Sequence, residues 1–129
     1  MSDFAALSGF HMPAEWCAQA AIWLSWPLKP GAWPGCRAEA EQAYAAFVAA
    51  ISRFEPVRIN CARAAQARAG EALVRAQARL DRVTWYDHPT NDTWCRDHGP
   101  IFVKHRDTGE VMITDWAFNA WGAKFPAWD

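Results

Sequence analysis

Residues 37–61 read RAEAEQAYAAFVAAISRFEPVRINC, and their hydrophobic period changes partway along. Tyr44, Phe47, Val48, Ile51 and Phe54 recur at intervals of three and four, which places them on one face of an amphipathic helix over Arg37 to Phe54. Glu39 and Glu41 lie near its start, where the helix dipole favours anions. Pro56 ends it, because the residue before a proline is disfavoured in helical geometry. Beyond it Val57, Ile59 and Cys61 alternate with Arg58 and Asn60, the two-residue period of a strand.

The same step from helix to strand continues on both sides. Upstream, the apolar and aromatic run AAIWLSW (residues 20–26) closes on Pro27 and suits a buried strand, and a Pro/Gly-rich loop follows to Gly35. Downstream, residues 62–80 are rich in Ala, Arg, Gln and Glu, with Leu73, Ala76 and Leu80 as a thin apolar stripe. Gly70 weakens that helix by up to about 1 kcal/mol, so a late start is expected. Val83–Tyr86 reads as a third strand. Ile101–Lys104 and Val111–Phe118 then bracket Asp107–Glu110 as a β-hairpin with a glycine turn. Strands alternating with helices imply an α/β or α+β fold with helices packed on a sheet face.

The chain has 129 residues, enough for one domain with a real core. With 52% hydrophobic and 21% charged residues it reads as globular rather than disordered. The net charge of −1, and basic residues scattered without a run, point to no nucleic-acid partner. No stretch approaches the roughly 18 apolar residues that span a bilayer, so no membrane partner is expected. The start, Met1 to Phe4, lacks the features of a secretory signal, and a cytoplasmic protein is expected. Cys17, Cys36, Cys61 and Cys95 form no Cys-x-x-Cys pair and read as free thiols in a reducing compartment. No cofactor is implied. The nine tryptophans are many for this length. They leave open a surface that binds a cation or a carbohydrate.

Between the third strand and the hairpin lies NDTWCRDHGP, residues 91–100. Two acids, an arginine, a histidine and a tryptophan share it, and Gly99-Pro100 forces a turn or an extended exit. The segment is expected to be an irregular loop, and loops on a rigid scaffold often carry chemistry. A carboxylate beside a tryptophan face suits a flat cation such as a guanidinium. On residue types alone a purely structural loop is the favoured reading, with Asp92 and Asp97 capping backbone amides and Arg96 pairing with one of them.

This decapeptide resembles the segment of agmatine deiminases and bacterial-type peptidyl-arginine deiminases that reads Asn-Asp-x-Trp-x-Arg-Asp-x-Gly-Pro. MPAEW followed by WLSWP (residues 12–27) is similar to the family's opening, and DWAFNAWGAKFPAWD (residues 115–129) to the stretch after its hairpin. Cys17 and Cys95 stand where the family pattern calls for no cysteine. The resemblance implies an α/β fold of the pentein type, a propeller of five ββαβ modules. Residues 1–129 would then be a single partial domain, holding the first module and part of the next. It also implies hydrolysis of a guanidino substrate through a covalent amidino-cysteine intermediate, converting agmatine to N-carbamoylputrescine and ammonia. Peptidyl-arginine is the alternative substrate.

Carried onto this chain, the motif makes Asp97 the carboxylate that binds the guanidinium and Trp94 the wall of the pocket. Asp92, Arg96 and Gly99 would support the site. The family's nucleophilic cysteine and catalytic histidine map onto no residue here, and the chain reads as cut at Asp129 rather than finished. A truncated module is expected to leave edges uncovered and to self-associate, with a homo-oligomer as one form.

Three other readings compete. Cys95, Asp97 and His98 have the residue types of a nucleophile, an acid and a base, but catalytic triads assemble from separated parts of a chain. His88, His98 and His105 with Asp87, Asp92 and Asp107 match no usual zinc spacing. Asp129 is a further acid that could reach a pocket. Against the hydrolase stands a tryptophan-lined binding module without catalysis.

Overall fold

The computed structural model describes residues 8–90 and 92–124. Asn91, Trp128 and Asp129, all part of the sequence reading, lie outside the described residues. Contacts divide the described residues into two compact units, one within residues 19–96 and one of residues 8–18 together with 97–124.

In the first unit, β2 (Ile22–Ser25), β3 (Val57–Asn60) and β4 (Val83–Tyr86) form a parallel sheet in that order. Each crossover carries a helix, α1 (Arg37–Ser52) and α2 (Arg63–Arg75), and the two helices pack together. Two successive crossovers of one hand put both helices on one face. Val57, Ile59, Cys61, Trp26, Val48 and Leu73 are buried there, with Ile22, Leu24, Val83 and Trp85 partly buried against them. Each large apolar side chain so buried contributes about 1.5–3 kcal/mol. The other sheet face carries Trp23, Ser25, Arg58, Asn60, Thr84 and Tyr86.

The predicted stripe of α1 is met in part: Val48 is buried and Tyr44 and Ile51 pack against the core, but Phe47 and Phe54, the latter beyond the helix's last residue, do not. Ala45, Val48, Ala49 and Ser52 are buried, while Phe47 is half exposed and Phe54 is 83% exposed. Beyond Ser52 the amides of Phe54 and Glu55 turn back onto the Ile51 carbonyl, ahead of Pro56.

The bounds of α2 also differ from expectation. It runs unbroken through Gly70 from an early start, because Asp87 accepts the N–H of Arg63 at 2.8 Å. It ends at Arg75 rather than near residue 80. Gln77 adopts a left-handed φ of 60°, its N–H bonds the Val74 carbonyl, and the N–H of Ala78 bonds that of Leu73. That is a Schellman stop, usually built on glycine. Leu80, expected on the buried stripe, opens a short 3-10 turn and is exposed.

The second unit is an antiparallel sheet in the order β1 (Phe10–His11), β5 (Ile101–His105), β6 (Val111–Thr114). The expected hairpin forms, with Gly109 at φ 73° in its turn, although β6 stops at Thr114 and not at Phe118. The two-residue β1 has too little period to be read from sequence. It is admitted because Gly9 sits at φ 83° where a Cβ would meet His105 Nε2 at 2.8 Å. After β6, Ala120–Ala123 forms a left-handed turn, and the Asn119 side chain accepts the N–H of Gly122.

One further departure concerns NDTWCRDHGP. It is not wholly irregular, since Cys95–His98 form a single helical turn, α3.

Candidate functional site

Ser25, Asn60 and Tyr86 are the last residues of the three parallel strands and stand in register. The carboxyl ends of parallel strands are where open α/β sheets bind ligands. The chain leaving β4 folds back towards these ends and is tied there at two points. Asp92 Oδ2 takes the Lys29 ammonium at 2.7 Å, and its other oxygen accepts the N–H of Thr93 at 2.9 Å. Three residues on, Cys95 Sγ and Ser25 Oγ share a hydrogen bond of 2.9 Å in which either can donate.

Ser25 is itself fully buried and held by others. Asn60 Nδ2 donates to its hydroxyl at 3.4 Å, and the Tyr44 hydroxyl donates to its carbonyl at 2.8 Å. Burial pushes the Tyr44 phenol well above its ordinary range, with the neighbouring Cys95 adding to the shift, so Tyr44 stays a neutral donor. On the same face Arg58 lies 5.5 Å over the Trp23 ring, which in turn meets Tyr86 at 4.6 Å between centroids.

The motif residues differ in how they are engaged. Asp92 is nearly covered, with its carboxylate committed to Lys29 and Thr93. Trp94 is 55% exposed. Asp97 and Arg96 are exposed, and Gly99 is half-buried. Among the described residues the Asp97 carboxylate has no ion pair or hydrogen bond. The structural-loop reading is therefore half met: Asp92 does cap a backbone amide and does hold a cation, but that cation is Lys29.

The competing constellations are placed differently. The Cys95 thiol meets Ser25, and His98 lies beside Phe118 at 6.0 Å between rings, its buried Nε2 without a hydrogen-bond partner among the described residues. His88 stacks on Tyr86, and His105 Nδ1 accepts the N–H groups of Asp107 and Thr108. Among the described residues no three His, Cys, Asp or Glu side chains gather as a metal ion requires. All four cysteines are free thiols. Burial pushes the Cys61 thiol up to about 11, with Arg68 opposing and the charges of Asp87 and Glu41 adding to the shift. Among the described residues no helix is long and apolar enough to cross a membrane.

Sequence reading missed Ser25, Lys29, Tyr44 and Asn60. One signal was available for the first of these: Ser25 is the single hydroxyl in the apolar run at residues 20–26.

Comparisons with known proteins bear on the family and the fold. The family described as Porphyromonas-type peptidyl-arginine deiminase matches residues 11–129. The agmatine deiminase of Stutzerimonas stutzeri is 43% identical over 118 residues, covering 90% of this chain and 30% of its own length. That of Pseudomonas syringae pv. syringae is 44% identical over 116 residues, covering 88% of this chain and 29% of its own. Among solved structures, the agmatine deiminase of Enterococcus faecalis is similar with a TM-score of 0.74 at 34% identity. That match covers 92% of this chain and 30% of the other. The chain thus spans about 30% of the length of the curated relatives it matches. Its α/β fold is that of the matching part of agmatine deiminase structures. With the motif, the fold and the family profile in agreement over nearly its whole length, this chain belongs to the Porphyromonas-type peptidyl-arginine deiminase family.

Proposed function

We propose that the chain is the N-terminal, substrate-binding part of a guanidine-group hydrolase that converts agmatine and water to N-carbamoylputrescine and ammonia. The observation that carries this reading is the division of labour between the two aspartates of the motif. Asp92 is consumed by Lys29 and the Thr93 amide, whereas Asp97 is exposed and uncommitted among the described residues. In this reading Asp97 holds the guanidinium nitrogens, Trp94 lines the pocket against the flat group or its aliphatic arm, and Asp92, Arg96 and Gly99 shape the segment. Carboxylates that hold the guanidinium flat leave its carbon open to attack, which is catalysis by positioning and charge.

The remaining chemistry follows the family. A cysteine thiolate from a later module attacks the guanidinium carbon, and ammonia leaves with a proton supplied by a histidine. Water then cleaves the amidino-thioether, releasing the ureido product and the thiol. The chain would supply the first module and part of the next in a five-module propeller. Agmatine is preferred over peptidyl-arginine because the curated relatives cited above are agmatine deiminases. Four free thiols suit a reducing compartment, and the reaction is assigned to the cytoplasm.

The test begins with the reading frame downstream of Asp129, where a His-x-Asp segment and a late cysteine are expected. The protein expressed from the full frame should release ammonia and N-carbamoylputrescine from agmatine, and Asp97→Asn should abolish turnover. Undiminished turnover in Asp97→Asn would sink the assignment. Agmatine bound without turnover would leave a binding module.

A further inference from the structure

Trp94 is bracketed by tethers that reach back to one short stretch of chain. Before it, Asp92 binds Lys29 at 2.7 Å, and after it, Cys95 meets Ser25 at 2.9 Å. Ser25 and Lys29 are separated by Trp26 and Pro27, which are fully buried, and by Leu28, packed against the core. The backbone of Trp26 extends the sheet ladder through its N–H to the Asn60 carbonyl. The two anchors therefore stand on a rigid base, and Ser25 is braced by Asn60 and Tyr44 as well.

We propose that Ser25 and Lys29 are positioning residues, a two-point clamp that fixes the Trp94 segment for the flat cationic substrate; this rests on the reading of Trp94 as a substrate contact. The ion pair does more than tether. Asp92 is largely desolvated, and a carboxylate in that setting is costly without its cation. Lys29 also cancels the Asp92 charge, leaving Asp97 as the motif's uncommitted carboxylate. The Cys95 thiol then serves as a hydrogen-bonding group and takes no part as a nucleophile.

The decisive experiment uses the protein expressed from its full reading frame, with Ser25→Ala, Lys29→Met, Cys95→Val and Cys95→Ser. Amide hydrogen exchange is measured over residues 93–98 alongside steady-state kinetics on agmatine. The first three variants should raise exchange in that segment about tenfold or more while β3 stays protected. They should also raise KM by about tenfold, with a smaller fall in kcat, because the pocket wall is misplaced while the reacting groups are not. Cys95→Ser should restore both, as a hydroxyl can replace the thiol in the bond to Ser25. Unchanged exchange in both Lys29→Met and Cys95→Val would overturn the clamp. Raised exchange with unchanged KM would overturn its positioning role. Should the wild-type protein turn over no guanidino compound, the hydrolase assignment falls, and exchange alone still decides whether the clamp exists.

Discussion

Asp87, one residue beyond β4, caps α2 from 24 positions away, accepting the backbone N–H of Arg63 at 2.8 Å and its Nε at 3.2 Å. Ala62, at the helix's own N-cap position, has no side chain able to do this. First the backbone N–H and then the guanidinium hold the Asp87 carboxyl below the ordinary aspartate value of 3.8. A carboxyl lowered on folding contributes stability that is complete above that ordinary value and lost as pH falls through the folded one. Asp87→Asn should therefore lower the urea midpoint at neutral pH, and the gap to wild type should close in strong acid. Equal midpoints at neutral pH would refute the cap.

Gln77 holds a left-handed conformation that costs a side-chain-bearing residue about 1–2 kcal/mol. Its side chain is exposed, so removing it sacrifices little packing. Gln77→Gly should raise stability by up to about 1 kcal/mol, the greater backbone freedom of glycine in the unfolded chain offsetting part of the gain. Urea denaturation at neutral pH reads this directly. A loss of stability would show that the Schellman geometry carries no strain.

Leu73 is wholly buried, whereas Phe54, the larger side chain and part of the apparent helix stripe, is exposed. Leu73→Ala should cost about 2–5 kcal/mol through lost burial and the cavity left behind. Phe54→Ser should stay within about 0.5 kcal/mol. The reverse order in denaturant titrations would mean that Phe54 is packed in the folded protein and Leu73 is not.

Thiol reactivity should separate the four cysteines. Cys17 and Cys36 are exposed and should alkylate first in the native protein. Cys95, half-buried against Ser25, should follow. Cys61 is buried, and its thiol, pushed up to about 11, is overwhelmingly protonated at neutral pH. It should react only on unfolding. Peptide mapping after timed iodoacetamide treatment measures the order, and early labelling of Cys61 would contradict the packing of β3.

Elements whose cause lies within a few residues were legible. The change of period at Pro56 separated α1 from β3, and Gly109 marked the turn between β5 and β6. The boundaries of α2 were not legible, because a distant carboxylate starts it and a left-handed glutamine stops it. The period named Tyr44, Val48 and Ile51 correctly as core-facing, but it carried the stripe on to Phe54, past the end of α1 at Ser52.

The sequence by itself determined the family, the alternation of strands and helices, and the presence of Trp94, Asp92 and Asp97 in one short segment. Those properties rest on residue identity and on near-neighbour geometry along the chain. Only the tertiary structure decided that, among the described residues, Asp92 is committed while Asp97 is not, and that Lys29 and Ser25 meet Asp92 and Cys95. Lys29 and Asp92 are 63 positions apart, and Ser25 and Cys95 are 70. Pairs so distant meet only after two crossovers have set three strands side by side and the chain has turned back towards their ends.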